Sequence, residues 1–123
     1  DWWTENWGRG WAWSHFGPLD TGFTTQMPPN SASCLDWWNK NFPGMMSASS
    51  RHQGGAHIVM GDGAVRFITD SIEAGDQNSN SPGFDAEAQT ILTGPLAPGS
   101  PSPFGLWGSL GTRGAKEVIE GEF

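Results

Sequence analysis

Nucleophilic catalysis needs a Ser or Cys beside a base, with a third group to orient that base. This sequence holds the parts: His15, His52, His57, one cysteine at Cys34, many serines, and aspartates such as Asp62. It holds no spacing that assembles them. There is no Gly-x-Ser-x-Gly elbow, no phosphate loop and no dinucleotide fingerprint. Nothing places Cys34 beside a base or a helix N-terminus, the settings that activate a thiol. A single cysteine closes no internal disulfide. Cys34 is expected to be buried and inert, with a bridge to another chain as the alternative. No catalytic residue is assigned, and the chain does not read as an enzyme.

Metal chemistry has one specific candidate. His52, His57 and Asp62 follow at intervals of five, wider than the tight pairs of zinc sites. His57 reads instead as a partly buried strand histidine. Asp76, Asn78 and Asn80, with Glu87 further on, set oxygen side chains at positions 1, 3, 5 and 12 of a loop. That is the spacing of an EF-hand calcium loop, and hard Ca²⁺ needs six to eight oxygens. Ser81 stands where such loops carry Gly, Gly83 follows two residues later, and the flanking segments are poor helix formers. An ordinary Asx- and Ser-rich surface loop is the competing reading. Calcium is the one cofactor the sequence suggests.

The third group that invites a function is aromatic. Trp2, Trp3, Trp7, Trp11, Trp13, Trp37, Trp38 and Trp107 are the eight tryptophans, and Tyr is absent. As a strand, residues 7–13 would carry Trp7, Trp11 and Trp13 on one face and Gly8 and Gly10 on the other. Backbone approaches closely over such a bare face. Two readings stay open: an ordinary core strand, or a surface that stacks on sugar rings or a neighbouring subunit. Indole serves either role, because it buries a large area and keeps one N–H donor.

The elements that must position these residues are short. Eighteen Gly and nine Pro make up about a fifth of the chain, nearly twice the usual share. That excludes a helical bundle. Charged residues are 15% and aromatics 12%, too few charges and too many rings for a charge-rich disordered tail. The net charge is −7 and the six Lys and Arg form no basic patch, so nucleic acid is not an expected partner. The longest apolar runs are three residues, as at Ile58-Val59-Met60, so no membrane span is expected. A chain that starts at Asp1 is expected to be processed or partial. No Asn-x-Ser/Thr acceptor is present, and O-linked sugar on the Ser/Thr/Pro-rich parts is left open.

The clearest element is a hairpin: residues 56–60 and 64–68 are β-prone, and Gly61-Asp62-Gly63 lies between them. Residues 34–38 suggest a helical turn with Ser33 as N-cap. Residues 73–105 form a Pro/Gly/Ser-rich insertion. Within it, residues 84–92 could make a short helix or strand, and residues 96–103 should be extended. A helical turn at 106–110 and a strand around 117–119 close the chain. The expected fold is mainly β within a single domain over residues 1–123: a small antiparallel sheet with a central hairpin, short helical turns and long Gly/Pro-rich ordered loops.

His52, nine further residues, then Asp62-Gly63 resembles the H-x(9)-D-G signature of bacterial prepilin-type, processing-associated proteins. These carry a domain of unknown function and are similar to type II secretion pseudopilins. The likeness covers Ser50-Arg51-His52-Gln53-Gly54-Gly55, the apolar strand after it, and Asp62-Gly63-Ala64-Val65-Arg66-Phe67-Ile68, with Ala64 in place of the family's Ser. The tail Leu106-Trp107-Gly108-Ser109-Leu110-Gly111-Thr112-Arg113 resembles the family ending, though Ala115-Lys116 interrupt its Gly-Gly. Members begin with a prepilin cleavage site and a long apolar helix. The resemblance therefore implies that this chain is a C-terminal portion, or that the helix was removed. It implies a secreted, surface-exposed, β-rich head domain that assembles into filaments, and no catalytic residues.

In physical terms the motif reads as a structural staple. Gly54 and Gly55 admit the chain into the strand, Asp62 and Gly63 close the turn, and His52 and Arg51 bond groups at its base. On that reading His52→Ala costs roughly 1–2 kcal/mol through a lost buried hydrogen bond. The expected function is a structural subunit of an extracellular, pilin-like filament, with copies of itself as partners. The alternative is a secreted carbohydrate-binding module whose tryptophans contact glycans.

Overall fold

The computed structural model describes residues 14, 20–35, 44–85 and 89–112. Trp2, Trp3, Trp7, Trp11, Trp13, Trp37, Trp38 and Glu87 lie outside the described residues, as does the strand expected around residues 117–119.

The fold is mainly β, with little helix. Gly61-Asp62-Gly63 reverses the chain between β3 (Gly55–Val59) and β4 (Val65–Thr69), which pair antiparallel from Gly55↔Thr69 to Val59↔Val65. The turn has a physical cause at each position. Gly63 N–H donates to Met60 O at 2.9 Å, Ala64 N–H donates to Asp62 Oδ1 at 2.9 Å, and Gly63 sits at φ +85°. A turn followed by a left-handed residue is the usual three-residue hairpin connection. Gly55 serves a different need: a Cβ there would run into the backbone oxygen of Ile68 across the ladder.

Two further strand pairs are minimal: β1 (Cys34–Leu35) with β2 (Gly44–Met45), and β5 (Phe84–Asp85) with β6 (Thr90–Ile91). Among the described residues the antiparallel content is thus three separate two-stranded pairs. Several expectations need correction. Residues 34–35 are a strand and not the start of a helical turn, and Ser33 Oγ accepts from Ser47 N–H at 3.1 Å and caps no helix. Cys34 is exposed, not buried. Of the two alternatives for residues 84–92, the strand holds at both ends. Residues 96–103 are not continuously extended: a 3₁₀ turn at Gly94–Leu96 is followed by a bend in which Ser100 N–H donates to Ala97 O at 3.0 Å.

Among the described residues the core cluster is Ala48, Ile68, Ala74 and Trp107, with Ile58, Ile72 and Leu110 packed against it. Trp107 belongs to helix α1 (Gly105–Gly111) and is 1% exposed. Its indole N–H donates to Met27 O at 2.7 Å, and its ring stacks on Phe23 at 6.3 Å and 9°. The buried position corrects the expectation that Trp107 contacts a neighbour or a sugar: its surface is already spent inside the chain.

Helix α1 is capped from a distance. Its N-cap, Phe104, makes no side-chain capping bond. Glu73 supplies the acceptors: Oε2 takes Leu106 N–H at 2.7 Å, Oε1 takes Gly75 N–H at 2.7 Å, and the backbone oxygen takes Trp107 N–H at 2.9 Å. The Leu106 and Trp107 N–H groups are donors that a helix start leaves without intrahelical partners, and negative charge is favourable there. The carboxylate lies where a Cβ on Gly105 would be, and Gly105 sits at φ +55°, so any other residue here would be strained and would push the Glu73 carboxylate off the helix start. Nearby, Asp76 N–H donates to Pro103 O at 2.9 Å and ties together the ends of the long excursion between them.

Two substitutions test this scaffold by denaturant unfolding. Trp107→Phe is expected to cost about 2–4 kcal/mol, from the cavity and the unbonded Met27 carbonyl. Glu73→Ala is expected to cost about 1–2 kcal/mol, the value of a lost cap.

Candidate functional site

Alternation along the hairpin divides its residues between two faces. Ala56 and Ile68 form one pair facing the core, at 4% and 1% exposure. The opposite face carries His57 against Phe67 and Val59 against Val65. All four are exposed, with Val59 at 71% and Val65 at 61%. His57 and Phe67 rings lie 4.9 Å apart, and the His52 ring meets His57 edge-on at 5.6 Å. The motif histidine and strands β3 and β4 thus build one continuous row of rings beside two exposed valines. His57 is exposed where partial burial was expected.

The structure separates the roles proposed for the motif. Gly54 adopts φ +84°, and Asp62 and Gly63 close the turn as described. His52 is no buried staple. It is exposed, and its Nδ1 pairs with the Ser50 hydroxyl at 2.6 Å while the same hydroxyl accepts His52 N–H at 3.1 Å. Arg51 is exposed and makes no recorded bond or ion pair among the described residues.

The base of the hairpin is held by a residue the motif does not contain. Asn30 Nδ2 donates to Asp70 Oδ1 at 2.8 Å, Asn30 Oδ1 accepts Ser50 N–H at 2.8 Å, and Asn30 N–H donates to Ala48 O at 2.8 Å. Its φ is +60°. Asn tolerates that region better than most residues, and its place after Pro28-Pro29 is the signal that marks such a turn.

A cleft of about 770 Å³ opens beyond the end of the hairpin. Phe23 and Gln26, the Ile58–Gly61 end of the hairpin, Ser81 and Ser100, and helix α1 line it. No described lining residue carries an ionisable side chain.

In the candidate calcium loop, Asp76 Oδ1 accepts Asn78 N–H at 3.0 Å, and Ser79 N–H donates to Asp76 O at 3.1 Å. Asp76, Asn78 and Asn80 are all exposed. No group of three or more His, Cys, Asp or Glu suited to a metal occurs among the described residues. Among the same residues, no helix is long and apolar enough to cross a membrane.

Comparison with known families gives one match: the model described as a protein of unknown function (DUF1559) covers residues 2–75, more than half of the chain. The chain belongs to this DUF1559 family. The matched stretch contains the hairpin, Asn30 and Glu73, while helix α1 and Trp107 lie beyond it. No curated protein and no solved structure matches the chain.

The hairpin geometry predicts a ranking in thermal unfolding. His52→Ala is expected within about 0.5 kcal/mol of wild type, as for exposed residues generally. Gly55→Ala is expected to cost more than 2 kcal/mol, because the backbone oxygen it meets cannot step aside. Equal losses at the two positions would restore the staple role of His52.

Proposed function

We propose that this DUF1559 protein is a structural subunit of an extracellular, pilin-like surface filament, polymerising through copies of itself. The observation that carries the reading is the outward face of the β3–β4 hairpin. A two-stranded sheet is marginal in water on its own. This one gains support on the Ala56/Ile68 face and leaves Val59, Val65 and Phe67 open on the other. Among the described residues, neither outer edge of the hairpin is paired with a further strand. Arg66 is the one charged residue in either strand, so the edges carry little of the charge that normally discourages strand addition.

A neighbour that lays an extended segment along such an edge satisfies its backbone groups and covers the valines. If that segment comes from a different part of an identical chain, the contact is heterologous and propagates into a fibre. The resemblance of His52 to Asp62-Gly63 to the H-x(9)-D-G pattern of pseudopilin-like proteins supports the same reading, and with it a place at the cell surface.

Electron microscopy and sedimentation of the purified protein test the proposal. Wild type is expected to form filaments. Val65→Glu combined with Phe67→Ser, both at exposed positions, is expected to leave folded monomers. A wild type that stays monodisperse at high concentration, or a double variant that polymerises equally well, overturns it.

A further inference from the structure

We infer that the cleft between the hairpin end and helix α1 binds an uncharged oligosaccharide. Val59 borders both this cleft and the open hairpin face, but the inference rests on Phe23, Thr25 and Ser100, which the filament reading does not use.

The walls select by charge first. In a chain with a net charge of −7, none of the described residues around this cleft ionises. A phosphate, an acidic sugar or a charged peptide would find no counter-charge there and would lose hydration on entry. A neutral ligand avoids that cost. The volume, about 770 Å³, is within the range of small-molecule sites.

The walls select by shape next. Phe23 is 44% exposed, and its ring is held nearly parallel to the buried Trp107 ring. It is therefore a fixed aromatic surface with one side braced and part of its area open to the cleft. Pyranose rings present apolar C–H faces that cover such a surface, and a rigid ring loses little entropy on binding them.

The hydroxyls supply the third feature. Thr25 and Ser100 both line the cleft, and neither side chain has a hydrogen-bond partner among the described residues. Each offers one donor and two acceptor lone pairs, the complement of sugar hydroxyls. Gln26 Nε2 donates to Ser81 Oγ and joins two stretches of the wall. A purely apolar ligand would cover these groups without replacing their water, at a cost of about 1–3 kcal/mol for each one left unpaired.

Calorimetric titration of the purified protein with maltohexaose, cellohexaose and chitohexaose (the N-acetylated form) tests the inference, with a neutral Gly/Ser peptide as control. At least one sugar is expected to bind saturably. Phe23→Ala is expected to weaken it at least tenfold. Thr25→Val and Ser100→Ala are each expected to weaken it several-fold with unchanged melting curves, which keeps the test valid if Phe23→Ala unfolds. Val65→Glu with Phe67→Ser is expected to bind as wild type does, so failure of filament formation and failure of sugar binding stay distinguishable. Three flat sugar titrations, saturation by the peptide alone, or unchanged affinity in both hydroxyl variants would overturn the inference.

Discussion

Trp107 is where the described segments meet. It stacks on Phe23, donates its indole N–H to Met27 O, and packs with Ala48, Ile68 and Ala74. Its backbone N–H is held by Glu73. Burial of roughly 200 Å² of indole surface is worth on the order of 5 kcal/mol. That is large in a core whose other central members are two alanines and one isoleucine. Short strands and long loops of this kind do not stabilise one another through their own ladders. They are ordered by sharing one ring, and by the Glu73 carboxylate that fixes the helix carrying it.

Among the described residues, the core covers one face of the hairpin. One face is committed to Ile68 and its neighbours, and the other is left to water with Val59, Val65 and Phe67 exposed. The same economy leaves an open cleft beside helix α1. Both surfaces that invite a partner therefore follow from the way one indole is buried. They differ in chemistry: the hairpin face offers valines, rings and unpaired strand edges, while the cleft offers hydroxyls and one braced phenyl ring. The first suits a further chain of protein, and the second suits a neutral, hydroxylated ligand.

Sequence reasoning was most successful where the causes are local. Gly61-Asp62-Gly63 and its flanking runs carry their turn and register within a dozen residues, and the hairpin lies within one residue of the expected limits. The helical turn near residues 106–110 is likewise present as α1. The failures involve long-range partners. His52 looked like a buried staple because its spacing to Asp62 is regular, yet its side chain bonds only to Ser50, two residues away, and the bracket at the hairpin base is Asn30. Cys34 looked buried by residue type and is exposed in a strand. The cleft was not legible at all, since Phe23, Thr25 and Ser100 form no pattern along the chain.

By itself the sequence determined a mainly β protein with one firm hairpin, because turn chemistry and strand periodicity are properties of neighbouring residues. Only the tertiary structure decided that Trp107 is spent in the core, that Glu73 caps a helix 33 residues away, and which face of the hairpin stays open among the described residues. Those outcomes depend on which distant segments compete for the same buried volume, and linear spacing does not record that competition.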